Sequence, residues 1–354
     1  MKNNAVIVDC GIISPFGNDI KSIINEIQSN KNPILTDRFN KIKNFNFYKC
    51  GYKTKTYTDR SSQLCVHSVG RTMKDLKIDS FDIGLITASK YGCLESSMKY
   101  LNQLKTLKNT WFASPMQFTH SICNMPNSIA CIEFGIKGLT NHFVGGPEAS
   151  LYALWQSVAS LNEKIVKQIV VCAFDSISDE HIRLIKLQEN SHEIVYSEGA
   201  AAVRVKLKDD SKDENILCEI MGIGFDSGDG RLKSLERSIS NSMYDAGISP
   251  SDVKFYVSNA YLTDYFYRYE KRAVESALYN NIPVIMPKRY IGDSLAASAL
   301  MSLIVICTEH KLPFKLINSK EDSRICSGDI AVLAGYDNTG GSISICIKIG
   351  GKNE

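Results

Sequence analysis

Apolar runs of strand length alternate with helix-spaced segments along this chain, and the alternation repeats once. In the first half VIVDCGIIS (6–14) precedes a polar stretch and the helical segment RSSQLCVHSVGRTMKDL (60–76). The link KIDSFD (77–82) and the apolar run IGLITAS (83–89) follow. In the second half ILCEIMGIGFDS (216–227) precedes RLKSLERSISNSMYDAG (231–247), the link ISPSD (248–252) and VKFYVSNA (253–260). Leu232, Leu235, Ile239 and Met243 recur at helical spacing and predict one apolar face, with Gly247 as the residue that stops the helix. Strands alternating with helices predict a layered α/β fold, and the repeat predicts two related halves. The seam falls near 207–215, in the highly charged run KLKDDSKDEN, giving halves 1–206 and 207–354.

The segment NHFVGGPEASLYAL (141–154) reads as a short strand, a Gly145–Gly146 turn and a helix opened by Pro147. Enzymes often hold a nucleophile at such a turn, because the free N–H groups and dipole of the helix favour developing negative charge. Pro147 stands where that nucleophile would sit. Proline has no reactive group and no backbone N–H for an oxyanion hole. It is also an ordinary first residue of a helix.

The segments 6–18 (VIVDCGIISPFGN), 59–64 (DRSSQL), 91–96 (YGCLES), 114–140 (SPMQFTHSICNMPNSIACIEFGIKGLT), 196–203 (YSEGAAAV), 257–263 (VSNAYLT), 288–298 (KRYIGDSLAAS) and 334–341 (AGYDNTGG) occur in one order. That order resembles the β-ketoacyl-acyl carrier protein synthases over nearly the whole chain. The resemblance implies a thiolase fold, with two pseudo-twofold-related α/β halves in a layered α-β-α-β-α architecture. In that family a cysteine attacks the acyl thioester and two histidines assist decarboxylation of the malonyl unit. Matched position by position, the cysteine falls on Pro147, the first histidine on Tyr261, the second on Asp293 and the family's lysine on Lys288. All three reacting groups are missing. A register shifted by one would place Glu148 at the nucleophile, but it breaks the spacing to Leu151, Ala153 and Leu154. Related non-catalytic subunits often carry glutamine there, so Pro147 departs from that pattern too. The chain also has only DSGDG (226–230) where active synthases carry a longer loop.

The resemblance therefore implies a chain-length factor, the ketosynthase β subunit of a type II polyketide synthase. Such a subunit pairs with an active ketosynthase α subunit. It meets an acyl carrier protein that brings the phosphopantetheine arm, and needs no cofactor of its own. Thiolase-fold dimers join sheets edge to edge, which covers strands otherwise exposed, and the joining strand is expected at 140–144. By position, 111–124 shapes the end of the acyl tunnel, with Ala113, Met116 and His120 as the gate if the stretch is helical. Ordinary core packing is the competing reading of that spacing. An accessory subunit of aryl-polyene or other fatty-acid-like synthesis, and an enzyme of this fold with a rebuilt site, are the alternatives.

Composition narrows the field further. Lys and Arg number 41 against 38 Asp and Glu, a net charge of +3, which leaves no nucleic-acid footprint. No apolar run has transmembrane length, and MKNNAVIVD lacks a signal peptide's basic start, so a cytoplasmic protein without a membrane partner is expected. Eleven cysteines without a C-x-x-C pair read as reduced thiols, several of them in apolar runs. Cys93 in YGCLES is a candidate replacement nucleophile, whereas Cys123 and Cys131 read as packed. The histidines show no metal-ligand spacing. Tyr261 has a phenol, with a pKa near ~10, that is poorly suited to acid catalysis at neutral pH. Asp293 reads as an N-cap or first-turn acid on the apolar helix 294–307. Lys288 is either a surface lysine or a partner of Asp293 or Glu148.

Overall fold

A computed structural model describes residues 5–29, 37–54, 58–74, 76–188, 194–212, 214–228, 230–260, 265–308, 325–337 and 340–350. The first half contains β1 (Ala5–Ile13), β2 (Phe39–Asn40), β3 (Ile83–Ser89), β4 (Thr140–Val144), β5 (Gln168–Asp175), β6 (Tyr196–Ser197) and β7 (Gly199–Leu207). The second contains β8 (Cys218–Ser227), β9 (Phe255–Val257), β10 (Val284–Ile285), β11 (Ile330–Tyr336) and β12 (Gly341–Ile349). Helices before the crossover are α1 (Ile20–Ser29), α2 (Arg60–Thr72), α3 (Leu94–Thr106), α4 (Pro115–His120), α5 (Met125–Phe134), α6 (Pro147–Asn162) and α7 (Asp179–Gln188). After it come α8 (Arg231–Ala246), α9 (Tyr265–Ala277), α10 (Lys288–Ile291) and α11 (Ala297–Thr308).

The sequence repeat has a topological counterpart. Leaving aside the small β2–β6 pair, the first half orders its strands β4-β3-β5-β7-β1 and the second β10-β9-β11-β12-β8. Each reads third, second, fourth, fifth, first. Directions agree as well: β3 runs parallel to β4 and β5, and β9 parallel to β10 and β11, while the remaining pairs are antiparallel. The halves join where Ala5–Ile7 of β1 pair with Ile220–Cys218 of β8.

The ten strands form one continuous sheet, and α6 and α11 pack on each other against both of its halves: α6 touches strands of each, as does α11. That position explains why α11 is apolar all round: Ala297 through Cys307 are all buried. α2 covers the other face of the sheet's first half and α8 that of its second half. The result is helix, half-sheet, helix, half-sheet, helix.

α8 approaches its sheet unusually closely. Ser234, Ser238 and Ser242, four residues apart, meet Ser342, Ser344 and Cys346, two apart, at 2.6, 2.8 and 3.3 Å. Helical and strand periods coincide along this seam. Gly222 and Gly224 make the approach possible, since a Cβ on Gly224 would press into the backbone of Ser238 and Ser242. Leu235, Ile239 and Met243 are buried and Leu232 is partly buried on this helix, and Gly247 closes it with φ 66°. The apolar face predicted from spacing is therefore present. β9 is shorter than the run 253–260 suggests, because Ser258 and the Asn259 N–H turn to a buried carboxylate, Glu270.

One region is packed differently. α3, the 3-10 turn Thr110–Phe112 and α4 bury no residue, and Trp111 and Phe112 are 91% and 75% exposed. β4, the sheet edge beside α5, is exposed at Thr140, Asn141 and Val144. No helix among the described residues is long and apolar enough to cross a membrane.

Candidate functional site

β4 ends at Val144, the Gly145 N–H donates to the Ser89 carbonyl at 3.1 Å, and α6 starts at Pro147. The strand–turn–helix read from the sequence is thus in place, with proline at its head. Behind it the side chain of Glu148, 5% exposed, folds back over the glycine turn. Its Oε1 accepts the Gly146 N–H at 2.5 Å, its carboxylate also takes its own N–H, and Oε2 has no partner among the described residues. Burial pushes this carboxyl up; the two N–H groups pull it back, Asp337 adds to the rise and Lys90 opposes it. Gly335, at the end of β11, lies against the same backbone: a Cβ there would be 2.7 Å from the Glu148 Cα.

The second half contributes Lys288 and Asp293. Lys288 is buried and its Nζ meets Asp293 Oδ2 at 3.0 Å. The surface alternative for Lys288 is therefore overturned, and the Asp293 alternative is the one observed. Asp293 Oδ1 accepts the Leu295 N–H and the Ser298 hydroxyl, both at 2.8 Å. Asp293 precedes the first residue of α11 by four positions, so it pins the turn leading into the helix instead of capping it. Within that turn Leu295 holds φ 55°, a strained value for a branched residue. Burial raises the Asp293 carboxyl, but the Lys288 charge and the hydrogen bonds from Lys288 and Ser298 outweigh it, leaving it below its ordinary value. An ionised carboxylate accepts hydrogen bonds but donates none. Tyr261 lies outside the described residues.

Buried carboxylates that were not singled out by the sequence include Glu270 and Asp175. Glu270 accepts from Tyr256 (2.8 Å), Ser258 (2.6 Å) and the Asn259 N–H (3.0 Å), with Lys288 near enough to lower it against the rise from burial. Asp175, at the end of β5, accepts the N–H groups of Lys90, Tyr91 and Ala296 at 3.0 to 3.1 Å. Burial still pushes its pKa up to about 7. The only sequence signal was an acid closing the apolar run 168–175.

Cys93 is buried at the head of α3, and burial followed by the charge of Asp59 pushes its thiol far up, so it offers no thiolate. Cys123 is exposed, not packed, and Cys131 is partly buried; all eleven cysteines are free. No cluster among the described residues could hold a metal ion. Of the expected gate, Met116 and His120 lie on α4, whereas Ala113 precedes it in extended conformation. The three therefore do not share one helix face. Met116 is 46% exposed.

No family model and no curated sequence matches the chain. Solved structures do. The ishigamide ketosynthase/chain length factor superposes with a TM-score of 0.81 at 17% identity, covering 98% of this chain and 100% of that one. A β-ketoacyl synthase from Burkholderia phymatum STM815 gives 0.84 at 14% identity, covering 99% and 100%. A ketosynthase in complex with its type II polyketide acyl-carrier protein gives 0.77 at 15% identity, covering 98% and 100%. The chain has the thiolase-like fold of the ketosynthases and chain length factors.

Proposed function

We propose that the chain is a catalytically silent ketosynthase-like subunit, a chain-length factor, that pairs with an active ketosynthase and helps set the length of a polyketide chain. The observation that supports this reading is a ketosynthase-like fold whose strand–turn–helix carries Pro147 at its head. Pro147 supplies neither nucleophile nor N–H, and Asp293 is committed to Lys288 and Ser298. Pairing is supported by the exposed edge of β4 and by the segment from Asn109 through α4 to Asn124, which buries no residue of the Thr110–Phe112 turn or of α4 and contains no Asp, Glu, Lys or Arg. Uncharged, aromatic-bearing surface of this kind marks the core of a protein interface.

The test is reconstitution with a ketosynthase and an acyl carrier protein. The isolated chain takes up no acyl group from malonyl-carrier protein in intact-mass spectra, while the pair elongates. An acyl adduct on the isolated chain would overturn the reading. So would elongation by the single variant Pro147→Cys, since Asp293 still stands where a donor is needed.

A further inference from the structure

We infer that Glu148 is a built-in occupant of the anion site at the head of α6, so that the former thioester site is closed by the chain itself as well as disarmed by Pro147. The inference rests on reading that turn as a former acyl site. A helix of this length presents free N–H groups at its first turn, and these favour an anion. Here Pro147 has none, the Gly146 and Glu148 N–H groups go to the Glu148 carboxylate, and the Ala149 N–H turns to the Gly146 carbonyl at 3.0 Å. The donors an acyl oxygen would need are spoken for.

The surroundings are shaped to this side chain. A Cβ on Gly145 or Gly146 would meet its carboxylate oxygens at 2.7 and 2.8 Å, so the glycine pair forms the cradle. Gly335 lets the second half close against the Pro147–Glu148 backbone from the other side. Oε2 is buried without a partner, which is unfavourable for a free side chain. Geometry holds the carboxyl there: tethered to N2 of the helix, it reaches Gly146 without losing translational freedom.

The experiment uses the full chain. Pro147→Cys places a thiol at the head of α6, and iodoacetamide alkylation reads its accessibility. Adding Glu148→Ala is expected to raise the alkylation rate about tenfold, as expected for releasing one charge-assisted hydrogen bond. Adding Glu148→Gln, which keeps an acceptor oxygen, leaves the rate low. In the native Pro147 background, formate should raise the melting temperature of Glu148→Ala by filling the vacated site and leave the unsubstituted chain unchanged. Glu148→Asp, too short to reach Gly146, gives the same contrast with a smaller cavity should the alanine variant unfold. Equal alkylation rates with and without Glu148 in folded variants, or a formate response equal to that of the unsubstituted chain, overturn the inference. Neither readout needs a partner subunit, so their failure leaves the proposed pairing standing. Failure to pair would in turn leave the occupancy of the site intact.

Discussion

Asp175 is buried and Asp293 largely so, yet their surroundings move them in opposite directions. Asp175 gathers three backbone N–H groups and feels the Lys90 charge, but burial outweighs them and its pKa rises from 3.8 to about 7. In the unfolded chain it ionises near 3.8, so folding binds a proton between those values. Its contribution is therefore favourable at low pH, fades between about pH 4 and 7, and is absent as an incentive above 7. Asp293, lowered by Lys288, contributes stability above its unfolded value that is lost as pH falls through its folded one. Urea midpoints across pH 4–8 should show Asp175→Asn flattening the decline between 4 and 7; an unchanged slope would assign that decline elsewhere. Asp293→Ala strands a buried Lys288 and should cost about 3–5 kcal/mol. Lys288→Met combined with Asp293→Leu should recover most of it. That Pro147 offers neither a nucleophile nor a backbone N–H was legible in the sequence, because residue type alone decides it. Asp175 was not legible: its partners lie 85 and 121 positions away, and only the fold brings those loop ends together.

Elements with strong periodicity were legible closely. The run IGLITAS coincides with β3, and the face of α8 follows from Leu235, Ile239 and Met243. The serine seam behind α8 was hidden, since serine in a helix pattern normally signals solvent. It is readable only once Gly222 and Gly224 are seen to bring backbones together. Gly224→Val should therefore destabilise by about 1–3 kcal/mol through overpacking. Ser238→Ala should lose only about 1 kcal/mol, the worth of one hydrogen bond whose partner Ser344 can turn elsewhere. Equilibrium denaturation of both variants checks the order; a larger loss for Ser238→Ala would mean that the ladder, not the close approach, holds α8. The segment 111–124 was the least legible. Ala113, Met116 and His120 would share a face only if the stretch were one helix, but Ser114 caps a helix that runs only over Pro115–His120.

At the scale of the whole molecule, two equivalent halves differ in what they leave uncovered. In the first half the third strand, β4, and the 109–124 flap before it stay open; this asymmetry is the feature a partner would correct. The chain has two tryptophans, and Trp111 is 91% exposed on the flap, while Trp155 is partly covered by Phe225. Docking of a ketosynthase over β4 and the flap should bury Trp111 and shift the emission to the blue, and Trp111→Phe should remove most of the shift. If the flap then closes the far end of the partner's acyl tunnel, its side chains set the room available. A two-carbon unit has about the volume of a small side chain, and close-packed surroundings do not absorb it. Met116→Ala and His120→Ala should lengthen the product, and Ala113→Phe should shorten it. Complex formation should persist in all three, because the remaining flap and the β4 edge still carry the interface. Product masses from the reconstituted pair decide: an unchanged length in all three variants, with the tryptophan shift intact, would leave the pairing in place and move the gate to other residues.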